Sequence, residues 1–303
     1  MTSRRLSLSV LPLAVFLLSS LSDSTSHDLR LQRAVDHAIG RHAGAIVVVN
    51  VTSDRILASN NVDLAGRQLV RPGSTLKPFV LMELLESGKL DPKQFLLCKR
   101  PLRIESVRLD CSHTADVTQL DADDAISYSC NSYVAEVALR LDESELLEAL
   151  RRAGLDSPTG LAKSESVGHI DRPANQEQLQ LIALGERGIE ITPLELLEAY
   201  RKLALRRRTG TISPYEPIFD GLEHSITYGM AHAAYVEGMK VAGKTGTATA
   251  VNNPRTHGLF VGFAPAVRPE LAVVVYLKEG RGLDAAMLAQ AVFAEYAKMT
   301  ENP

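Results

Sequence analysis

The pattern of hydrophobic and polar residues predicts strands near both ends of the chain and helices between them. Ala45 to Val51 is a short β-branched run typical of a strand, and Arg55 to Ser59 follows as its hairpin partner. Three more strands are predicted in the last third, over 244–251, 257–264 and 271–277. The two early strands and the three late ones favour a single, mostly antiparallel, five-stranded sheet.

Apolar residues recur at helical spacing in the rest of the chain. The predicted helical segments are 28–39, 74–86, 116–153 with a break near Ser129, 192 to about 205, and 284–298. The fourth begins with a capping box, Thr192-Pro193-Leu194-Glu195. We therefore predict an α+β fold, in which a sheet flanked by helices carries an inserted all-helical lobe. The crevice between sheet and lobe is the expected functional site.

Residues 1–26 have the features of an export segment. Arg4 and Arg5 precede an apolar run from Leu6 to Leu21, and small residues follow it. The run is shorter than the ~20 residues that span a bilayer comfortably, which favours a cleaved signal peptide over a short membrane anchor. In both cases we expect residues 27–303 to form one extracytoplasmic domain, in the periplasm or on the outer face of the cytoplasmic membrane.

Composition narrows the classes of function. The 303 residues are 45% hydrophobic, enough for a core that holds a buried active site. The net charge of −3 gives no general attraction for nucleic acid. Aromatic residues make up 5% and tryptophan is absent, which argues against base stacking. An enzyme without a nucleic-acid partner is the expectation.

Export changes the interpretation of the cysteines. Cys98 and Cys111 lie in a polar stretch, and an oxidising compartment would let them form a disulfide worth about 3 kcal/mol. Cys130 is interpreted as a small buried hydrophobe and His113 as a surface residue. Because no familiar metal-ligand spacing occurs, the sequence predicts no metal site and no cofactor.

Three short motifs carry the candidate chemistry. Residues 74–77 (Ser-Thr-Leu-Lys) open a predicted helix, residues 129–131 (Ser-Cys-Asn) interrupt a helical region, and residues 244–247 (Lys-Thr-Gly-Thr) begin a predicted strand. Each motif is common by itself. Together and in this order they are the set found in β-lactamases and penicillin-binding proteins.

Ser74, Lys77 and Ser129 are the candidate catalytic residues. Lys77 lies one helical turn after Ser74, so it can reach the serine hydroxyl and take its proton. A lysine acts as a base only when it is neutral, and burial together with a second cation, Lys244, would lower its pKa. Ser129 would then pass the proton to a leaving amine.

The candidate substrate-binding residues are Asn131, Lys244, Thr245, Gly246 and Thr247. Asn131 would hold a substrate amide and steady Lys77. Gly246 has no side chain, so a substrate backbone could lie along the strand edge there. Lys244 and Thr247 would receive a substrate carboxylate, and the N–H groups of Ser74 and Thr247 would form an oxyanion hole.

These motifs and their neighbours resemble the transpeptidase domain of class B penicillin-binding proteins. The similar segments are 71–78, 127–133, 191–196, 244–248 and 260–265, and the resemblance extends over roughly residues 40–300. It implies a serine D,D-peptidase that acts on D-Ala-D-Ala ends of peptidoglycan stem peptides. It also implies acylation of Ser74 by β-lactams as covalent inhibitors, and membrane-proximal cell-wall assembly proteins as partners.

Two alternative functions stay open. In a β-lactamase of class A we would expect a Glu-x-x-Leu-Asn pattern, which the segment 165–169 lacks, and Asn131 departs from the Ser-x-Val motif of class D. Both departures favour a peptidase that deacylates slowly. A non-enzymatic β-lactam sensor or scaffold is the other alternative, although a scaffold would not need three intact motifs.

Overall fold

The computed structural model describes residues 28–249 and 255–301, so the predicted export segment lies outside the described residues. Its main sheet has the strand order β2-β1-β5-β4-β3, and all neighbours are antiparallel. The strands are β1 (Gly44–Asn50), β2 (Ile56–Asn60), β3 (Ala242–Thr249), β4 (Thr256–Ala264) and β5 (Leu271–Leu277). The predicted five-stranded sheet and the α+β class are confirmed.

Ten helices and two single 3₁₀ turns accompany the sheet in the described ranges. The helices are α1 (28–39), α2 (Val62–Arg67), α3 (Lys77–Glu86), α4 (Ala122–Ser127), α5 (Asn131–Ala138), α6 (Glu143–Ala153), α7 (Gln176–Ala183), α8 (Pro193–Arg208), α9 (Glu216–Thr227) and α10 (Gly282–Glu301). The 3₁₀ turns cover Gly73–Leu76 and His232–Ala234. Within residues 28–249 and 255–301, no helix combines the length and the hydrophobicity that crossing a bilayer requires.

The sheet separates two hydrophobic cores, and β1 contributes to both. Ile46 and Val48 pack in the core that contains apolar residues of α1 and α10. Val47 and Val49 point the other way, into the core shared with the helical lobe. A strand covered on both faces explains the unbroken apolar run, because neither face needs polar residues.

The inserted lobe contains α4 to α9 and also three short antiparallel pairs that the pattern did not predict. The pairs are Leu96–Leu97 with Gln119–Leu120, Arg103–Ile104 with Val107–Arg108, and His169–Ile170 with Ile189–Glu190. The helical region predicted from residue 116 begins only at Ala122. The side chain of Asp121 accepts a hydrogen bond from the Asp124 N–H there and caps the helix.

The predicted capping box at the start of α8 is present. Thr192 Oγ1 accepts from the Glu195 N–H at 3.1 Å, and a Glu195 carboxylate oxygen accepts from the Thr192 N–H at 2.7 Å. A second Glu195 oxygen accepts from the Gly168 N–H at 2.7 Å. The buried carboxyl thus fixes both the helix start and a neighbouring loop.

Candidate active site

A groove of about 470 Å³ lies between the sheet and the helical lobe. Side chains from all three sequence motifs line it: Ser74, Ser129, Asn131, Thr245 and Thr247. The motifs are separated by long stretches of chain, and the fold alone brings them together. The opposite wall comes from the segment 108–112, between the short pairs of the lobe.

Ser74 lies in a 3₁₀ turn that is held between two glycines. The Gly73 N–H, at a φ of +53°, donates to the Gly185 carbonyl of the lobe at 2.9 Å. On the other side, a Cβ on Gly246 would lie 2.6 Å from the Pro72 carbonyl oxygen. We expected Gly246 to admit a substrate backbone; in the structure its missing side chain makes room for the turn that carries Ser74.

Two buried side chains fix the carbonyls of the same turn. Tyr200 Oη donates to the Thr75 carbonyl at 2.8 Å, and both residues are fully buried. His257 Nε2 lies 2.7 Å from the Arg71 carbonyl. Burial lowers the pKa of His257, so the ring is neutral and its Nε2–H donates this bond. The turn that carries Ser74 is therefore anchored from the lobe and from the sheet.

Ser129 occupies a backbone conformation that serine rarely adopts. Its φ is +56°, in the left-handed region, and it forms the joint between α4 and α5. Such a position costs of order 1 kcal/mol or more and persists only when the surroundings impose it. The joint directs the Ser129 hydroxyl towards two lysines. Lys77 Nζ donates to Ser129 Oγ at 3.3 Å, and Lys244 Nζ donates to the same oxygen at 2.9 Å.

Lys77 and Lys244 are both fully buried, and their other bonds go to neutral groups. Lys77 Nζ donates to the Ser129 carbonyl at 2.7 Å and to Asn131 Oδ1 at 2.5 Å. Burial lowers the pKa of Lys77 to about 8. Burial, together with the nearby Lys77 ammonium, holds the pKa of Lys244 well below its ordinary value. Two lysines that lose protons this readily can exchange them with Ser129.

Two predicted contacts take a different form in the structure. Among the hydrogen bonds of the described residues, none joins Lys77 Nζ to Ser74 Oγ. Lys244 is buried beneath Ser129 and does not line the groove. The groove surface beside Thr247 is instead occupied by Arg281, an exposed cation at the start of α10 that the motif analysis did not identify.

Glu186 is a second groove residue that the sequence did not reveal. It follows Gly185, which touches the turn that carries Ser74, and its side chain lines the groove. Burial raises its pKa, although the charges of Lys77 and Arg71 oppose the rise. Neither Glu186 nor Arg281 belongs to a motif or a periodic segment, so only the folded chain places them here.

The cysteines differ from what the sequence predicted. The Sγ atoms of Cys98 and Cys111 are 3.6 Å apart, and all three cysteines are free thiols. A disulfide requires about 2.05 Å. Cys130 Sγ is also 3.6 Å from Cys111 Sγ, so Cys111 has two equivalent neighbours instead of one partner. His113, predicted at the surface, is 5% exposed and joins them. We call these four residues the cysteine–histidine cluster.

A family model, the penicillin binding protein transpeptidase domain, matches residues 44–298. Among curated proteins, the chain is 26% identical over 83% of its length to a probable peptidoglycan D,D-transpeptidase PbpC of Pseudomonas aeruginosa. It is 24% identical over 86% of its length to the peptidoglycan D,D-transpeptidase FtsI of Escherichia coli. The chain spans about half the length of these relatives, 53% of each.

Solved structures share the fold at lower identity. The transpeptidase domain of Burkholderia pseudomallei penicillin-binding protein 3 superposes with a TM-score of 0.77 at 20% identity, covering 94% of this chain and 96% of that one. Pseudomonas aeruginosa PBP2, solved in complex with WCK 5153, gives a TM-score of 0.76 at 21% identity, covering 88% of this chain and 76% of that one.

Replacing Tyr200 with phenylalanine tests how the turn that carries Ser74 is anchored. Tyr200→Phe keeps the ring packed and removes only the bond to the Thr75 carbonyl, so we expect the free energy of unfolding to fall by about 1 kcal/mol. Urea unfolding measures the change. Tyr235→Phe, at an exposed tyrosine, is the matched control and should change stability by less than about 0.5 kcal/mol. Equal losses in both variants would contradict the anchoring role.

Proposed function

Because the chain belongs to the family of penicillin-binding protein transpeptidase domains, we propose that it is a serine D,D-transpeptidase of peptidoglycan stem peptides. The observation that carries the proposal is the position of the Ser129 hydroxyl. It lines the same groove as Ser74, and it contacts two buried lysines, Lys77 and Lys244. The substrates are stem peptides ending in D-Ala-D-Ala, and β-lactams acylate the same serine.

In the first step, Ser74 Oγ attacks the carbonyl carbon of the penultimate D-Ala. The serine proton passes to neutral Lys77, which requires a small movement of the Ser74 hydroxyl towards Lys77 Nζ. The N–H groups of Ser74 and Thr247 stabilise the negative charge on the carbonyl oxygen.

The tetrahedral intermediate then breaks its carbon–nitrogen bond. Ser129 Oγ gives its proton to the departing amine of the terminal D-Ala and is reprotonated by Lys77 or Lys244, both of which contact it. The products of this half-reaction are the Ser74 ester and free D-Ala. The ester next reacts with an amine of a second stem peptide, which completes a cross-link, or with water, which completes a carboxypeptidase cycle.

Substrate binding uses the free edge of β3, which is the edge strand of the sheet. A peptide in extended conformation aligns along this strand. The terminal carboxylate is received by Thr247 and by Arg281 beside it. Asn131 holds the substrate amide on the other side of the groove.

The site of action is extracytoplasmic under this proposal, and residues 1–26 are the export segment. D-Ala-D-Ala stem peptides are assembled into the wall outside the cytoplasmic membrane, which is where we place the protein. Cell-wall assembly proteins close to the membrane are the proposed partners.

A β-lactamase is the second candidate, and Glu186 is the observation in its favour. A carboxyl group at the wall of the groove, with a pKa raised by burial, could activate water for attack on the Ser74 ester. Glu186 would then take the part of the deacylating glutamate that the sequence pattern lacks.

Replacing Ser74 with alanine tests the nucleophile. Ser74→Ala should lose covalent labelling by fluorescent penicillin, since the other hydroxyl of this turn, Thr75 Oγ1, is buried and donates to the Pro72 carbonyl at 2.7 Å, while the melting temperature changes little. Labelling is followed on denaturing gels and located by peptide mapping. Ser112→Ala, a second serine of the same groove, is the matched control and should label normally. Persistent labelling of Ser74→Ala would refute the assignment.

The pH dependence of acylation tests Lys77 as the base. Only neutral Lys77 accepts the serine proton, so the acylation rate should rise by about tenfold per pH unit at acidic pH and level off near the pKa of Lys77, about 8. Stopped-flow labelling measures the rate. Lys77→Arg should remove the acylation because arginine stays protonated. Lys240→Arg, at an exposed ion-paired lysine, should keep the full profile. A flat profile below pH 8 would exclude this base.

Turnover of a chromogenic cephalosporin separates the two candidate functions. A transpeptidase should show one rapid burst per chain and then slow release, whereas a β-lactamase turns over continuously. Glu186→Gln removes the candidate base for water, so it should leave the transpeptidase burst and slow release unchanged. If the native chain turns over many times and Glu186→Gln accumulates the acyl-enzyme, the β-lactamase function is correct.

A further inference from the structure

The cysteine–histidine cluster brings four metal-ligand atoms to one point behind the groove. The Sγ atoms of Cys98, Cys111 and Cys130 and a ring nitrogen of His113 all lie within 4.8 Å of one another. Cys98 follows one short strand of the lobe, Cys111 and His113 lie in the loop before another, and Cys130 caps α5. Four residues from three segments meet here without a carboxylate or a lysine among them.

Three of the six separations among these ligand atoms match the edges of a tetrahedron around zinc. Zinc binds thiolate sulfur at about 2.3 Å and imidazole nitrogen at about 2.0–2.1 Å, which places tetrahedral ligand atoms roughly 3.6–3.8 Å apart. Cys98 Sγ and Cys111 Sγ are 3.6 Å apart, as are Cys111 Sγ and Cys130 Sγ. Cys98 Sγ and His113 Nε2 are also separated by 3.6 Å.

Each sulfur also accepts one N–H hydrogen bond. The Tyr133 N–H donates to Cys130 Sγ at 3.4 Å and the Ser132 N–H donates to Cys111 Sγ at 3.5 Å, both from the first turn of α5. Arg100 Nε donates to Cys98 Sγ at 3.4 Å. N–H donors favour the thiolate form, which is the form that binds a metal.

The surroundings of His113 suit a ligand that binds through Nε2. Its Nδ1 lies 3.1 Å from the Thr114 carbonyl, to which an Nδ1–H can donate once Arg100 has left the ring, and that tautomer has a free Nε2. Arg100 Nη2 lies 2.6 Å from Nδ1 and 3.1 Å from Nε2. Arg100 is exposed, so its guanidinium can move off the ring when Nε2 takes a metal.

We propose that Cys98, Cys111, His113 and Cys130 bind one zinc ion that fixes the wall of the groove to the first turn of α5. Three thiolates and one imidazole form a ligand set that selects zinc over calcium or magnesium. Four protein ligands leave no open position for water, so the ion is structural. Binding displaces the remaining thiol protons to solvent.

The consequence for the groove follows from the position of Cys130 between Ser129 and Asn131. Cys111 lies directly after the groove residues 108–110, and Asn131 Nδ2 donates to the Leu109 carbonyl at 3.0 Å. A zinc ion that joins Cys111 to Cys130 therefore holds the wall against the Ser129–Asn131 joint. The ion positions these groups and takes no part in the chemistry at Ser74.

Metal analysis of the full chain tests the site directly. The protein is purified with a non-thiol reductant, saturated with zinc, dialysed and analysed for metal by mass spectrometry. We expect one zinc ion per chain, and loss of that ion in Cys98→Ser and His113→Gln. His113→Cys should retain it, because cysteine restores a ligand. His37→Gln, at an exposed histidine of α1, is the matched control.

Cobalt substitution needs no variant and so does not depend on variant folding. Co²⁺ added to the reduced full chain should give thiolate-to-cobalt charge-transfer bands and the visible bands of tetrahedral cobalt, and zinc should abolish both. Absence of these bands, or unchanged zinc content in both Cys98→Ser and His113→Gln, would overturn the proposal. So would an exported protein that carries a Cys98–Cys111 disulfide and no zinc.

The structural role of the zinc ion is tested by melting temperature and by the rate of reaction with penicillin, separately from metal content. Chelator-treated protein should melt at a lower temperature and react more slowly with fluorescent penicillin, and zinc but not magnesium should restore both. Zinc binding without any change in melting temperature would refute the structural role. The metal count stands independently of whether the chain is a transpeptidase.

Discussion

Two buried lysines share one serine hydroxyl, and no carboxylate of the described residues is bonded to either; this arrangement is the constraint on which the site depends. Lys77 and Lys244 are fully buried, and their hydrogen bonds go to Ser129, Asn131 and a backbone carbonyl. Burying a cation among neutral partners is costly unless its proton is easily lost. The fold must therefore hold several strained or crowded features in place to keep this arrangement.

The strained features are those that bring the Ser129 hydroxyl and the turn of Ser74 together. Ser129 adopts a left-handed backbone because the joint between α4 and α5 must turn sharply to face Lys244 on the sheet. Gly185 and Gly246 let lobe and sheet approach the turn of Ser74 from opposite sides, where a Cβ would meet backbone atoms at 2.4 Å and 2.6 Å. Sheet and lobe thus meet at the turn of Ser74. The sheet supplies Lys244, and the lobe supplies Ser129 and Asn131, which accept hydrogen bonds from Lys77.

How much the sequence could predict depended on whether the signal was local. The apolar run of β1, the capping box of Thr192 and the break at Ser129 are local patterns, and the structure has each of them. His113 was interpreted as a surface residue because the sequence has no metal-like spacing of histidine and cysteine, while in the structure it is buried beside Cys98 and Cys130, which belong to other segments of the chain. Arg281 and Glu186 were missed for the same reason, since loops bring them to the groove. The sequence did not show why a glycine is needed at position 246, because the residues that a side chain there would meet, Pro72 and Thr75, belong to another segment.

Burial and neighbouring charges shift the pKa of an acidic groove residue as well as those of the lysines. Burial raises the pKa of Glu186 while the charges of Lys77 and Arg71 lower it, and burial lowers the pKa of Lys77 while negative charges nearby raise it. Acid and base are thus displaced towards each other on the pH scale, which reduces the free-energy cost of moving a proton within the site. Under the proposed function, a lysine that gives up its proton this easily is available to accept the proton of the Ser74 hydroxyl.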